Sequence, residues 1–174
     1  MPNYCENTLE VRGDRLEVKA FLRQAGGVVE GEQEPIDFNA IVPYPEEYKR
    51  ADEAGEAWDA EWKLRGSPPG ERKDRPADGF NSGGHGWCNE NWGTKWNAIG
   101  ARVGDYKRRC VRVEFDTAWT PPRPWVLAAS CRYPSLAFSL RYWEGGNGFK
   151  GHFVARAGDE LKDERGDYDG PRGG

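Results

Sequence analysis

The sequence predicts an α+β domain of the split β-α-β kind, an antiparallel sheet with helices on one face. Three observations predict it. The chain opens on a strand followed at once by a helix. Two alternating runs flank a short, proline-started helix in the second half. A glycine-rich turn then adds a hairpin strand after the last of those runs.

In the opening stretch Cys5, Leu9 and Val11 alternate with Glu6, Thr8, Glu10 and Arg12, a half-buried strand in which Asn7 is the odd inward residue. Asp14 then caps a helix, with Glu17 three residues on as its capping-box partner. Val18, Phe21, Leu22 and Ala25 follow at helical spacing, and Gly26 and Gly27 end the run. Ile36 to Val42 reads as a second strand, closed by Pro43 and Pro45.

Glu46 to Arg65 reads as a charged helix whose apolar stripe is Tyr48, Ala51, Gly55, Trp58 and Trp62. Gly66 to Gly86 carries Pro68, Pro69, Gly70, Pro76 and Gly79 among charges and reads as a long, mobile surface loop. In WCNENWGTKWNA, from Trp87 to Ala98, a short helix is expected from about Asn91, with Trp92 and Trp96 on one face.

Arg109 to Trp119 alternates again, with Val111, Val113 and Phe115 on one side and Arg112, Glu114 and Asp116 on the other. Pro121, Pro122 and Pro124 start a helix over Trp125 to Tyr133, and Pro134 closes it. Leu136 to Tyr142 and Phe149 to Ala155 are strands joined by the turn Gly145-Gly146-Asn147-Gly148. The expected organisation is one domain over 1–157 with an insertion at about 46–98 between the second and third strands, its mobile loop at about 66–86. A charged, flexible tail follows over 158–174.

Length and charge narrow the function. The chain's 174 residues suit one domain with insertions. A net charge of −4 disfavours a non-specific coat for duplex nucleic acid, which is usually basic. The polar opening does not read as a signal peptide, and no apolar run is long enough to span a bilayer. A cytoplasmic location is therefore expected, without membrane partners. Cys5, Cys88, Cys110 and Cys131 are expected reduced and structural. Eight tryptophans serve either a compact core or a docking surface, and composition does not separate the two.

MPNYCENTLEVRG at the start, FNAIVPYP, NWGTKWNA, FDTAWTPPRPW and YPSLAFSLRYWE occur in that order. Together they resemble the YubB-type ferredoxin-like family of bacteriophages and conjugative plasmids, over about Met1 to Phe153 apart from the middle loop. The resemblance implies a ferredoxin-like fold and carriage on a mobile element in a bacterial host. It implies no activity and no catalytic residues. "Ferredoxin-like" names the fold alone, because the cysteines lack the spacing of an iron-sulfur site.

Several constellations carry some chemistry. His85 and Cys88 would need two more ligands to hold zinc, and Cys110, Cys131 and His152 are the best remaining candidates. Cys88 as a nucleophile would need a base and an orienting group. Glu114 and Asp116 share a strand face and read as a solvated stripe with Arg112 and Arg141; acid-base chemistry would need a pocket and a shifted pKa that the sequence does not show. No phosphate loop or dinucleotide fingerprint is present. The runs Arg72-Lys73-Asp74-Arg75 and Lys107-Arg108-Arg109 beside tryptophans raise single-stranded nucleic acid or a nucleotide as a ligand.

The expectation is a non-enzymatic binding protein without cofactor or metal, and no residue is assigned a catalytic role. Its candidate binding residues are Asn89, Asn91, Trp92, Lys95, Trp96, Asn97, Trp119 and Trp143. The expected partner is a host or element-encoded protein, with inhibition of a nucleic-acid-targeting defence complex as one role. The acidic helix from Glu46 to Glu61 offers a surface for a basic groove. A nucleic-acid or nucleotide binder is the alternative, and a small hydrolase the third reading.

Overall fold

Strand β1 (Tyr4–Arg12) lies in the middle of the sheet because it can pair on both edges and bury one face. Cys5, Leu9 and Val11 are fully buried on that face. The polar Asn7 among them is satisfied, since its Nδ2 donates to the Cys5 carbonyl at 2.8 Å and to Thr117 Oγ1 at 2.9 Å. The computed structural model describes residues 3–29, 31–68, 70–107 and 109–170. Met1 and Pro2 of the opening block, Pro69 of the middle loop, Arg108 of the basic run and the last four residues of the tail lie outside the described residues.

After β1, helix α1 (Arg15–Ala25) starts where Asp14 accepts the Leu16 N–H at 2.8 Å. Glu17 does not close a capping box; its carboxylate instead accepts the Ser135 hydroxyl. Val18, Phe21 and Ala25 are buried, and Phe21 meets Phe138 edge-on. A small hairpin follows, β2 (Gly27–Val29) and β3 (Glu32–Glu34), then α2 (Phe38–Ile41) and α3 (Glu46–Leu64). A 3-10 turn at Glu71–Asp74, a π-type turn at Phe80–Gly84 and α4 (His85–Asn91) complete the insertion. The second half contains β4 (Ile99–Lys107), β5 (Cys110–Ala118), α5 (Arg123–Arg132), β6 (Ala137–Glu144), β7 (Phe149–Arg156) and β8 (Asp159–Asp167).

The six-stranded sheet runs β4-β5-β1-β6-β7-β8, every pair antiparallel. With β1, α1, β4, β5, α5 and β6 as the split β-α-β frame, β7 and β8 extend one edge. α1 and α5 cover the same face, over Val113, Phe115, Phe138, Leu140 and Phe153. Trp125 of α5 is fully buried and donates Nε1 to the Phe38 carbonyl at 3.1 Å.

Three segments differ from expectation. Ile36 to Val42 is not a strand; Asp37 accepts the Asn39 N–H at 2.9 Å and starts the single-turn helix α2. A short apolar run fits either element, and here the cap decides. The second strand of the frame is β4, whose alternation is broken by two register shifts against β5, between Ile99 and Arg102 and between Val103 and Tyr106. Residues 159–167, expected as flexible tail, form β8. Its residues are almost all exposed and charged, so no apolar alternation marks it, yet its backbone pairs along all of β7. Charge on an outer strand is also a common guard against pairing with other chains.

α3 extends over the predicted range, but its stripe does not pack on the sheet. The middle loop covers it instead. Arg75 lies against Gly55 and pairs with Asp59 at 2.9 Å and Asp78 at 3.1 Å. Trp58 and Trp62 stack, with the Arg72 guanidinium over the Trp62 ring. In the glycine-rich turn, the buried Glu144 carboxylate accepts the Gly146 and Asn147 N–H groups at 2.8 and 2.6 Å.

The opposite sheet face is open and charged, and it yields a pH prediction. Hydrogen bonds from Arg112 and Arg12, at 2.8 and 2.6 Å, hold the Glu10 carboxyl below its usual range. Partial burial pushes Asp116 above its usual range. Glu10 therefore stabilises the fold above the ordinary glutamate range, and that contribution fades as pH falls through its lowered value. Asp116 has the opposite sign: its ionisation costs stability above its raised value and costs nothing below the ordinary aspartate range. Thermal melts of Glu10→Gln are expected below wild type at about pH 7, with the deficit shrinking towards about pH 3. Asp116→Asn is expected above wild type at about pH 7 and level with it at about pH 3.

Candidate functional site

The segment Trp92 to Ala98 is a turn that carries the chain from α4 to β4. The helix expected to begin near Asn91 ends there instead, because Gly93 takes φ +85°. A side chain at Gly93 would also meet Pro124 Cδ at 2.5 Å and the Pro121 carbonyl at 2.9 Å. Two hydroxyls fix the turn: Thr120 Oγ1 donates to the Gly93 carbonyl at 2.6 Å and Thr94 Oγ1 to the Ala118 carbonyl at 2.9 Å. Trp92 and Trp96 consequently do not share a helical face.

The turn forms one side of a cleft of ≈ 670 Å³. Lys95, Trp96 and Asn97 line it from the turn, Tyr44, Phe80 and Trp92 supply aromatic wall, and Glu34 and Asp52 add carboxylates. Trp92 is only 4% exposed, packs against Phe38, Tyr44 and Trp87, and donates Nε1 to the Val42 carbonyl at 2.8 Å. Trp96 is 39% exposed, and the Lys95 ammonium lies 4.0 Å from its ring centroid. Asn97 is a tie: its Oδ1 accepts the Phe38 and Ala98 N–H groups at 2.8 and 2.9 Å, and its Nδ2 donates to Asp37 at 2.7 Å.

The carboxylates differ in their partners. Asp52 accepts the Tyr44 hydroxyl at 3.1 Å and the Phe80 N–H at 2.9 Å. Burial, then the Asp52 charge, lifts the Tyr44 hydroxyl well above the usual tyrosine range, so it stays a donor. A side chain at Gly84 would collide with that hydroxyl at 1.9 Å, so this glycine makes room for the wall. Glu34 Oε2 is buried and has no hydrogen-bond partner among the described residues.

The chemical candidates take these positions. Burial, with help from the Asp52 charge, pushes the Cys88 thiol up to about 12, so it is not a thiolate at neutral pH. His85 meets Asn89 and packs edge-on against Phe80, and no hydrogen bond joins it to Cys88 among the described residues. All four cysteines are free thiols. Among the described residues no three His, Cys, Asp or Glu side chains group as a metal site. Glu114 pairs with Arg102 at 3.2 Å. The acids of α3 are mostly engaged: Glu46 with Arg50, Glu53 with Lys49, Asp59 with Arg75 and Glu61 with Arg65.

Of the eight predicted binding residues, Trp92, Lys95, Trp96 and Asn97 meet at the cleft. Asn89 and Asn91 do not; each Nδ2 donates to the carbonyl four residues back, of His85 and Trp87. Trp119 directly follows β5, takes φ +71° and donates its N–H to the Asn3 carbonyl. Trp143 stands on the open sheet face, stacked on Tyr168 with centroids 4.7 Å apart, in a second cleft of ≈ 510 Å³ with Arg141 and Lys150. Glu34, Tyr44, Asp52 and Phe80 were not singled out by sequence. Only Tyr44, between two prolines, carried a visible mark; Asp52 looked like any acid of its helix.

Comparison with known proteins supports the fold. Residues 91–171 match a family described as a ferredoxin-like domain in Api92-like protein. That span begins at the end of α4 and takes in β4 to β8. A crystal structure of a protein api92 from Yersinia pseudotuberculosis is similar, with a TM-score of 0.58 and 14% identity over 98% of this chain and 99% of that one. At that identity the likeness speaks to fold, and the fold is ferredoxin-like. No match was found among curated proteins. No helix among the described residues is long and apolar enough to cross a membrane.

Proposed function

We propose that this chain is a non-enzymatic binding protein that docks on a partner protein at the mouth of the cleft. The observation that carries the reading is Trp96, 39% exposed beside an aromatic cleft and capped by the Lys95 ammonium. Tryptophan is among the side chains that carry most of the binding energy at interfaces. Thr94 and Asn97 fix the turn on either side, so little ordering is left for the moment of binding. The YubB-type resemblance favours a phage- or plasmid-borne protein acting in the bacterial cytoplasm. Its target would be a host or element-encoded protein, a nucleic-acid-targeting defence complex among the candidates.

The test is affinity capture from a bacterial lysate by the wild type and by a Trp96→Ala, Lys95→Glu double variant. A protein held by the wild type and lost from an equally stable double variant is the expected result. A second reading, nucleotide or nucleic-acid binding, is favoured by Trp143 on the open face beside Arg141 and Lys150. Glu6, Glu10, Glu114 and Asp116 on the same face oppose it. Release of nucleotide from the heated wild type, with no protein captured, would move the conclusion there.

A further inference from the structure

We infer that the group entering the cleft is a basic side chain of the partner, an arginine or lysine. The inference deepens the docking reading and rests on it. Charge is the first support. The cleft holds the carboxylates of Glu34 and Asp52 against the single ammonium of Lys95. Both Asp52 oxygens take neutral donors, the Tyr44 hydroxyl and the Phe80 N–H, so no cation among the described residues neutralises it. Glu34 supplies the second support. Its Oε2 is buried and accepts no hydrogen bond among the described residues, and native proteins rarely leave a buried polar group without a partner.

The walls supply the third support. A cation gains from an aromatic face, and Lys95 already shows that the Trp96 ring accepts one, at 4.0 Å and with no acid paired to it among the described residues. A guanidinium brings five N–H donors on a flat group that both stacks on a ring and reaches a carboxylate. An anionic ligand would face Glu34 and Asp52 with only Lys95 in its favour. A purely apolar group would leave Glu34 Oε2 as it is.

The test follows the Trp96 indole N–H signal by nuclear magnetic resonance, assigned with Trp96→Phe. The probes are N-acetyl-arginine methylamide, agmatine and N-acetyl-glutamate methylamide. The arginine amide is expected to shift the signal, about tenfold more weakly in Glu34→Gln, as loss of a charge-assisted hydrogen bond implies. Lys95→Met should bind it at least as well as the wild type, since a competing cation is gone. Should Glu34→Gln fail to fold, Lys95→Met still decides the sign of the charge. Binding of the glutamate amide, abolished by Lys95→Met, overturns the inference, as does an arginine amide that moves nothing. Agmatine binding more tightly than the arginine amide overturns the protein source in favour of a free amine. If the arginine amide fails while the double variant still loses a captured protein, the docking reading stands alone. If it binds while no protein is captured, the docking reading falls.

Discussion

Trp92→Ala is expected to lower unfolding free energy by about 3–5 kcal/mol, the range for removing a buried large aromatic. Trp96→Ala, four residues on, is expected to leave it within about 0.5 kcal/mol. The two tryptophans sit in one turn and differ in what they touch. Trp92 is 4% exposed, with rings on three sides, and its indole N–H donates to the Val42 carbonyl. Truncation removes the ring contacts and leaves that carbonyl short of a donor. Trp96 is 39% exposed, and among the described residues only the Lys95 ammonium lies over its ring. Denaturant titration of both variants checks this. A Trp92→Ala protein as stable as the wild type would mean that the ring is not part of the core. The contrast also sets the design of binding tests: loss of capture by a Trp92 variant reports unfolding, whereas loss by a Trp96 variant reports the interface.

Legibility of the sequence followed burial. β1, β5, β6 and β7 could be read because each has one dry face, so every second residue is apolar. β8 has no dry face, and β4 slips register against β5, so neither leaves a period to find. Ile36, Phe38 and Ile41 are all buried, the last two on a single helical turn too short to show a helical period. The site was half visible for a related reason. NWGTKWNA stands out because its residue types are unusual, and it does supply one side of the cleft. The facing wall comes from β3, from Tyr44 just ahead of α3, from the second turn of α3, and from the turn at Phe80–Gly84 before α4. These lie far apart in sequence and contain common residues. Only the fold brings Glu34, Asp52 and Phe80 to Trp96.

Asn97→Ala is expected to cost about 2–4 kcal/mol, taking ~1–3 kcal/mol for each buried polar group left without a partner. The side chain makes three hydrogen bonds: it accepts from Phe38 and Ala98 N–H, and it donates to Asp37. Those bonds join the site turn to the first residue of α2, whose carbonyl in turn accepts the Trp125 indole. Losing them should loosen the cleft and the helix layer together. Asn97→Asp separates the contributions. It keeps an acceptor for both N–H groups but places a carboxylate oxygen where Nδ2 lay, 2.7 Å from Asp37 Oδ1. Two carboxylates so close cannot both ionise cheaply, so one would be held above its usual range. The deficit of Asn97→Asp should then be large near pH 7 and shrink towards about pH 3, where the folded pair shares a proton and the repulsion is gone. The deficit of Asn97→Ala should change little over that interval. Urea titrations of both variants at the two pH values check the pattern. A stable Asn97→Ala protein that no longer captures its partner would instead place Asn97 in the interface.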